Sequence, residues 1–149
     1  MSKRVMIIDD DESTVTFLSV LLDDNGYESL SARNGKEGLE KLRENDVDLI
    51  ILDVMMPQKT GFVLFKQLKA DERLADVPVI MLTGVGASLA EIDAESEDAD
   101  IKPFDSLRES IRKQIKNMRE DGAFRPEIFM DKPINPDALI NQIQALLGE

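Results

Sequence analysis

The 149-residue chain has no histidine and no cysteine. Without histidine, nucleophilic catalysis by a Ser-His or Cys-His pair is excluded. Without cysteine, disulfides, thiolate chemistry and cysteine-based zinc sites are excluded as well. Positive charge is scarce: 18 Lys and Arg face 30 Asp and Glu, a formal charge of −12. That balance argues against binding nucleic acid or an anionic membrane through bulk charge. The longest apolar runs are strand-length, so no segment reads as a membrane span. Lys3 and Arg4 precede only four apolar residues before Asp9, whereas a secretory core needs roughly 7–15. A cytoplasmic protein is the simplest expectation.

What is present is 42% apolar residues, enough for a full core, in a length suited to one domain, 1–149. Val5 to Ile8 is an apolar run closed by acids, the pattern of a strand buried on both faces. Val15, Leu18, Leu21 and Leu22 form a helical stripe stopped by Asn25-Gly26. Tyr27 to Ala32 is a weaker strand, and Asn34 with Glu37 predicts a capped helix whose apolar face holds Leu39 and Leu42. Val47 to Leu52 is a second central strand ending at Asp53. Residues 55–61 read as a loop, and Phe62, Phe65 and Leu68 open a third helix. Val79 to Leu82 is another buried strand ending at Thr83-Gly84. Ile128-Phe129-Met130 is a short last strand before Asp131-Lys132-Pro133, and Pro136 begins a final helix.

Repeated β-α units predict an α/β fold, a doubly wound parallel sheet with helices on both faces. In such sheets ligands bind beyond the carboxyl ends of the strands. Asp9-Asp10-Asp11, Asp53, Thr83 and Lys132 each follow a strand, so they converge on one crevice. Carboxylates forced together repel by about 4 kcal/mol per pair at about 4 Å and an effective dielectric of about 20. Protonation or a hard divalent cation relieves that repulsion. Mg²⁺ suits the layout, because it takes one or two carboxylates, keeps waters and favours a phosphate co-ligand. A lysine and a hydroxyl in the same crevice supply donors for phosphoryl oxygens. The residues therefore point to metal-assisted phosphoryl transfer onto a carboxylate.

Four ordered motifs carry a family resemblance: Ile7-Ile8-Asp9-Asp10-Asp11, Asp48 through Asp53 to Met55-Met56-Pro57, Pro78 through Thr83-Gly84, and Asp131-Lys132-Pro133. Together they resemble the response-regulator receiver (CheY-like) domain of two-component signalling over nearly the whole chain. The resemblance implies a flavodoxin-like, five-stranded sheet. It implies that Asp53 accepts a phosphoryl group from a sensor histidine kinase or phosphotransfer protein. It further implies that Asp10, Asp53 and the main-chain carbonyl of Met55 bind Mg²⁺, with Asp9 helping indirectly. Thr83 is expected to hydrogen-bond the phosphoryl group and Lys132 to pair with it. Phe129 occupies the aromatic switch position and turns inward as Thr83 moves, biasing a two-state equilibrium that controls a downstream protein.

Several positions have competing readings. Asp48 sits at the start of its strand, the wrong edge for chemistry. The acidic pair is Asp9-Asp10 or Asp10-Asp11, with helix capping as the ordinary use of such acids; the family's third, often acidic, residue favours Asp9 and Asp10. Thr83 has a turn or cap as its ordinary reading, but the small Gly84 behind it leaves room for a phosphoryl group. Lys102 lies 19 residues after Thr83, near the family's usual gap, and Lys132 lies 49 after it. Residues 97–101 are nevertheless no buried strand, whereas Ile128-Phe129-Met130 is one and a helical pattern follows Lys132. Lys132 is therefore preferred.

That choice implies an inserted helix before the last strand, in a segment at about 104–124. Ser106 and Glu109 fit a capping box there, with Leu107, Ile111, Ile115 and Met118 along one stripe and Arg108, Arg112, Lys113, Lys116 and Arg119 opposite. An acidic run, 91–105, precedes it. The segment reads either as an extra packed helix or as a partner or dimer surface, since the family uses its fourth-helix and fifth-strand face for output.

A haloacid-dehalogenase-like phosphatase is a rival that wants an aspartate two residues after the nucleophile, where this chain has Met55. A degenerate receiver that binds partners without phosphorylation is another, opposed by the full set of acids, threonine and lysine. The expected protein is no enzyme beyond catalysing its own phosphorylation and a slow dephosphorylation. Met55 and Val85, two residues after Asp53 and Thr83, offer no polar group to orient water. The final helical pattern runs almost to Glu149, so the chain is expected to act alone or to be a receiver excised from a longer protein.

Overall fold

Apolar runs of four or five residues become strands here because each is wrapped on two sides by helices. In the computed structural model, which describes residues 3–54, 61–83, 128–131 and 134–148, β1 is Arg4–Ile8, α1 Glu12–Asp24, β2 Glu28–Ala32, α2 Gly35–Glu44 and β3 Leu49–Asp53. Then follow α3 (Gly61–Ala70), β4 (Val79–Thr83), β5 (Ile128–Asp131) and α4 (Pro136–Leu147). The strands form one sheet in the order β2-β1-β3-β4-β5 with every pair parallel. This is the doubly wound, flavodoxin-like α/β arrangement, with the order turning outward from β1 to β3.

The strand alternation sorts the core into two layers. Met6, Ile8, Ile50, Leu52, Val79 and Met81 pack with Leu42 of α2 and Leu64, Phe65 and Leu68 of α3. Val5, Ile7, Leu49, Ile51, Ile80 and Leu82 pack on the other face with Leu18 and Leu22 of α1 and Leu139, Ile140 and Ile143 of α4. All five residues of β3 and all five of β4 are buried. Burial on both faces explains why these segments read as continuous apolar runs rather than alternating ones.

Helix ends are set by short polar side chains. Asp11 caps α1 by accepting from the Ser13 amide at 3.2 Å, and Asn34 caps α2 by accepting from the Glu37 amide at 2.8 Å. The expected reciprocal bond from Glu37 lands one residue earlier, on the Arg33 amide at 3.4 Å. Asn135, which the sequence reading passed over, caps α4 through the Ala138 amide at 3.0 Å, with Pro136 in the first turn. After α1 the chain reverses at Gly26, whose φ of 84° lies in the left-handed region. The weak strand begins at Glu28, with Tyr27 buried just before it. The inserted segment at 104–124 lies outside the described residues.

Candidate functional site

The carboxyl ends of β1, β3 and β4 leave three buried polar residues at one edge of the sheet: Asp9, Asp53 and Thr83. Period-two alternation puts Asp9 in line with Val5 and Ile7, and Asp53 in line with Leu49 and Ile51. Both carboxylates therefore leave the sheet on the α1 and α4 side. Asp9 is held by its neighbours: its amide donates to the Ala32 carbonyl at 3.1 Å, and its Oδ1 accepts from the Asp11 amide at 2.9 Å.

The three adjacent acids divide by geometry. Asp10 is exposed, and one carboxylate oxygen each from Asp9, Asp10 and Asp53 lies within 4.8 Å of the others. Asp11 faces away into α1, with Oδ1 on the Ser13 amide and Oδ2 accepting from Thr14 Oγ1 at 2.7 Å. Asp11 thus takes the capping role and Asp9 and Asp10 join the cluster. Asp48 stands at the opposite edge, where its Oδ2 accepts from the Arg4 amide at 2.8 Å and ties β3 to β1.

The donor set fits a hard divalent cation. It consists of carboxylate oxygens from two buried residues and one exposed residue, which leaves the solvent side open for water ligands, as Mg²⁺ prefers. Like charges at this separation also favour a cation between them.

Thr83 ends β4 in register with Asp131 of β5. Phe129 is in register with Met81 and packs, half-buried, against the layer that contains Met6, Ile8 and Met81. Lys132, Met55 and Lys102 lie outside the described residues.

A feature the sequence reading missed adjoins the acids. A cleft of about 180 Å³ is lined by Asp9, Glu12, Thr16, Arg33 and Glu37 among others. Arg33 Nη2 pairs with Glu12 Oε1 at 2.6 Å, linking the start of α1 to the loop after β2. The two are 21 residues apart, beyond any helical or strand period, so no local pattern signals the pair. Beside it, the Lys41 ammonium at 3.1 Å and the Arg33 amide hold the Glu37 carboxyl below the usual carboxylate range.

Fold and site together define a receiver domain. Residues 5–116 match the response regulator receiver domain family, and the chain belongs to it. Members are phosphoacceptors of two-component signalling, acted on by histidine kinases and acting on downstream targets, rather than classical enzymes. The chain is 29% identical over 149 residues to the polar-differentiation response regulator DivK of Brucella ovis, covering 100% of this chain and 99% of DivK. It is 39% identical over 105 residues to the DNA-binding dual master transcriptional regulator RpaA of Synechocystis, covering 68% of this chain but spanning only 44% of RpaA. The chemotaxis response regulator CheY4 of Vibrio cholerae superposes with a TM-score of 0.74 at 26% identity, covering 99% of this chain and 100% of CheY4. The family match stops at 116, whereas the fifth strand of the sheet lies at Ile128–Asp131. Among the described residues, no helix is long and apolar enough to cross a membrane.

Proposed function

We propose that Asp53 is the phosphoacceptor, within a Mg²⁺ site formed by Asp10, Asp53 and the main-chain carbonyl of Met55, with Asp9 acting through water or hydrogen bonds. The observation that carries this reading is the clustering of the Asp9, Asp10 and Asp53 carboxylates within 4.8 Å at the end of a wholly buried strand. An Asp53 oxygen attacks the phosphorus of a phosphohistidine on a histidine kinase or phosphotransfer protein. The phosphorus–nitrogen bond breaks, its electron pair stays on the imidazole, and Asp53 becomes an acyl phosphate. When bound, the metal neutralises charge on the transferring oxygens. Asp9 orients the approach by holding the turn through the Asp11 amide.

Thr83 donates its hydroxyl to a phosphoryl oxygen and the Lys132 ammonium pairs with another. The β4–β5 register supports Lys132 over Lys102, because Lys132 directly follows the strand paired with Thr83. Phe129 is the switch residue. Its place two residues behind Asp131 puts it on the same sheet face as Thr83, so one movement affects both. Apolar Met55 and Val85 make self-hydrolysis slow; a phosphoryl lifetime of seconds overturns that part.

We read the chain as one cytoplasmic receiver domain, 1–149, with an insertion at about 104–124 that forms an extra helix packed on the domain, a partner or dimer surface being the second reading of the same segment. RpaA is named as DNA-binding, but the formal charge of −12 favours protein partners for this chain over nucleic acid or membrane. Acetyl phosphate with Mg²⁺, followed by intact-mass measurement, tests the reading. A Mg²⁺-dependent label is expected on the wild type and none on Asp53→Asn; an unlabelled wild type overturns it.

A further inference from the structure

Helix α3 begins against the strand end that carries the acidic site. Gly61, its first residue, is buried and donates its amide to the Val54 carbonyl at 3.0 Å. A Cβ built on Gly61 would stand 2.3 Å from the Asp53 carbonyl oxygen, 2.9 Å from Val54 Cα and 3.0 Å from the Asp53 carbonyl carbon. All three are backbone atoms, so no side-chain rotation makes room. The requirement is one of space, since the positive-φ glycines among the described residues are Gly26 and Gly148.

The clash falls on the backbone that carries the acidic site. The Val54 amide donates to the Leu82 carbonyl at 2.9 Å, pinning it to β4. Asp53 itself is only 2% exposed, in an interior packed too closely to absorb a displacement. Any residue larger than glycine at 61 therefore moves the Asp53 backbone and swings its carboxylate relative to Asp9 and Asp10.

We propose that Gly61 is a positioning residue for the acidic site: the absence of its side chain lets α3 close on the Asp53 carbonyl and fixes the carboxylate in the cluster. This rests on reading Asp53 as a metal-binding phosphoacceptor. Gly38 supplies the matched control. A Cβ there meets Ile8 Cδ1 at 2.8 Å and Cγ1 at 3.2 Å, which are side-chain rather than backbone atoms, on the strand residue before Asp9.

The test compares Gly61→Ala and Gly38→Ala in the full chain by amide NMR and by Mg²⁺ titration. Metal-free Gly61→Ala is expected to shift the Asp9, Asp10 and Asp53 amides, and Gly38→Ala to leave the Asp10 and Asp53 amides in place. Mg²⁺ affinity should fall roughly 10- to 100-fold in Gly61→Ala, the usual loss when a group behind a ligand is disturbed, and hold in Gly38→Ala. Unshifted Asp53 and Asp10 amides in Gly61→Ala, or wild-type Mg²⁺ affinity, overturn the proposal. A wild type that binds no Mg²⁺ overturns the metal reading instead, while the metal-free shifts still decide the positioning. If Gly61→Ala is too unstable in buffer, trimethylamine N-oxide restores the folded state for the same measurements.

Discussion

Thr83 and Phe129 lie on adjacent parallel strands and on the same face of the sheet, with Phe129 paired to Met81, the residue two before Thr83. A displacement of Thr83 toward the acidic site therefore changes the packing that Phe129 meets. Thr83→Ala is expected to keep Mg²⁺ binding at the wild-type level but to abolish the phosphorylation-dependent shift of the Phe129 ring. Carbon-13 NMR of labelled phenylalanine reads the second effect. A full ring shift in Thr83→Ala means the two are not coupled.

The neighbouring acids should separate cleanly by measurement. Asp11→Ala removes the cap of α1 and is expected to cost about 1 kcal/mol of stability with Mg²⁺ affinity intact. Asp10→Asn is expected to weaken Mg²⁺ binding strongly and to leave the urea midpoint near that of the wild type, because Asp10 is exposed. Equal metal affinities in the two variants count against the division of roles.

Central-strand packing sets a larger scale. Ile51 is fully buried in β3, the strand that ends at Asp53. Ile51→Ala is expected to lower unfolding free energy by about 2–5 kcal/mol, read from urea denaturation. A loss below about 1 kcal/mol indicates a core that collapses around the gap.

Glu37 gives a pH signature of known sign. Its hydrogen bond from Lys41 lowers its folded pKa, so the folded state binds this proton less readily than the unfolded one. The stabilisation is present above the unfolded carboxylate range and is lost as pH falls through the folded value. Both side chains are a little over a third exposed, so solvent screening limits the pair to about 0.3–0.5 kcal/mol. The stability gap between wild type and Glu37→Gln should be visible at neutral pH and close on acidification. A gap that widens in acid contradicts the assignment.

Much of this was readable in the residues. Continuous apolar runs marked β1, β3 and β4 because both of their faces are covered, and Asp9, Asp53 and Thr83 stand at their ends as the strand reading places them. What escaped was non-local or conformational. The Arg33–Glu12 pair joins side chains that only the sheet brings together. Asn135 hid as a cap because the proline after it drew the helix start. The choice between Asp9-Asp10 and Asp10-Asp11 turns on which carboxylate rotates back onto the α1 amides, and sequence does not encode that rotation directly. The need for glycine at 61 became visible only with the Asp53 carbonyl in place beside it.

The order β2-β1-β3-β4-β5 has one further consequence. The acids follow β1 and β3, each flanked by strands on both sides, while Phe129 rides on β5, which has a single sheet neighbour among the described residues. An interior strand can shift only by breaking two ladders, whereas a border strand has one to disturb. If Asp53 receives the phosphoryl group and Phe129 relays it, reception sits on strands held from two sides and relay on a strand held from one side among the described residues.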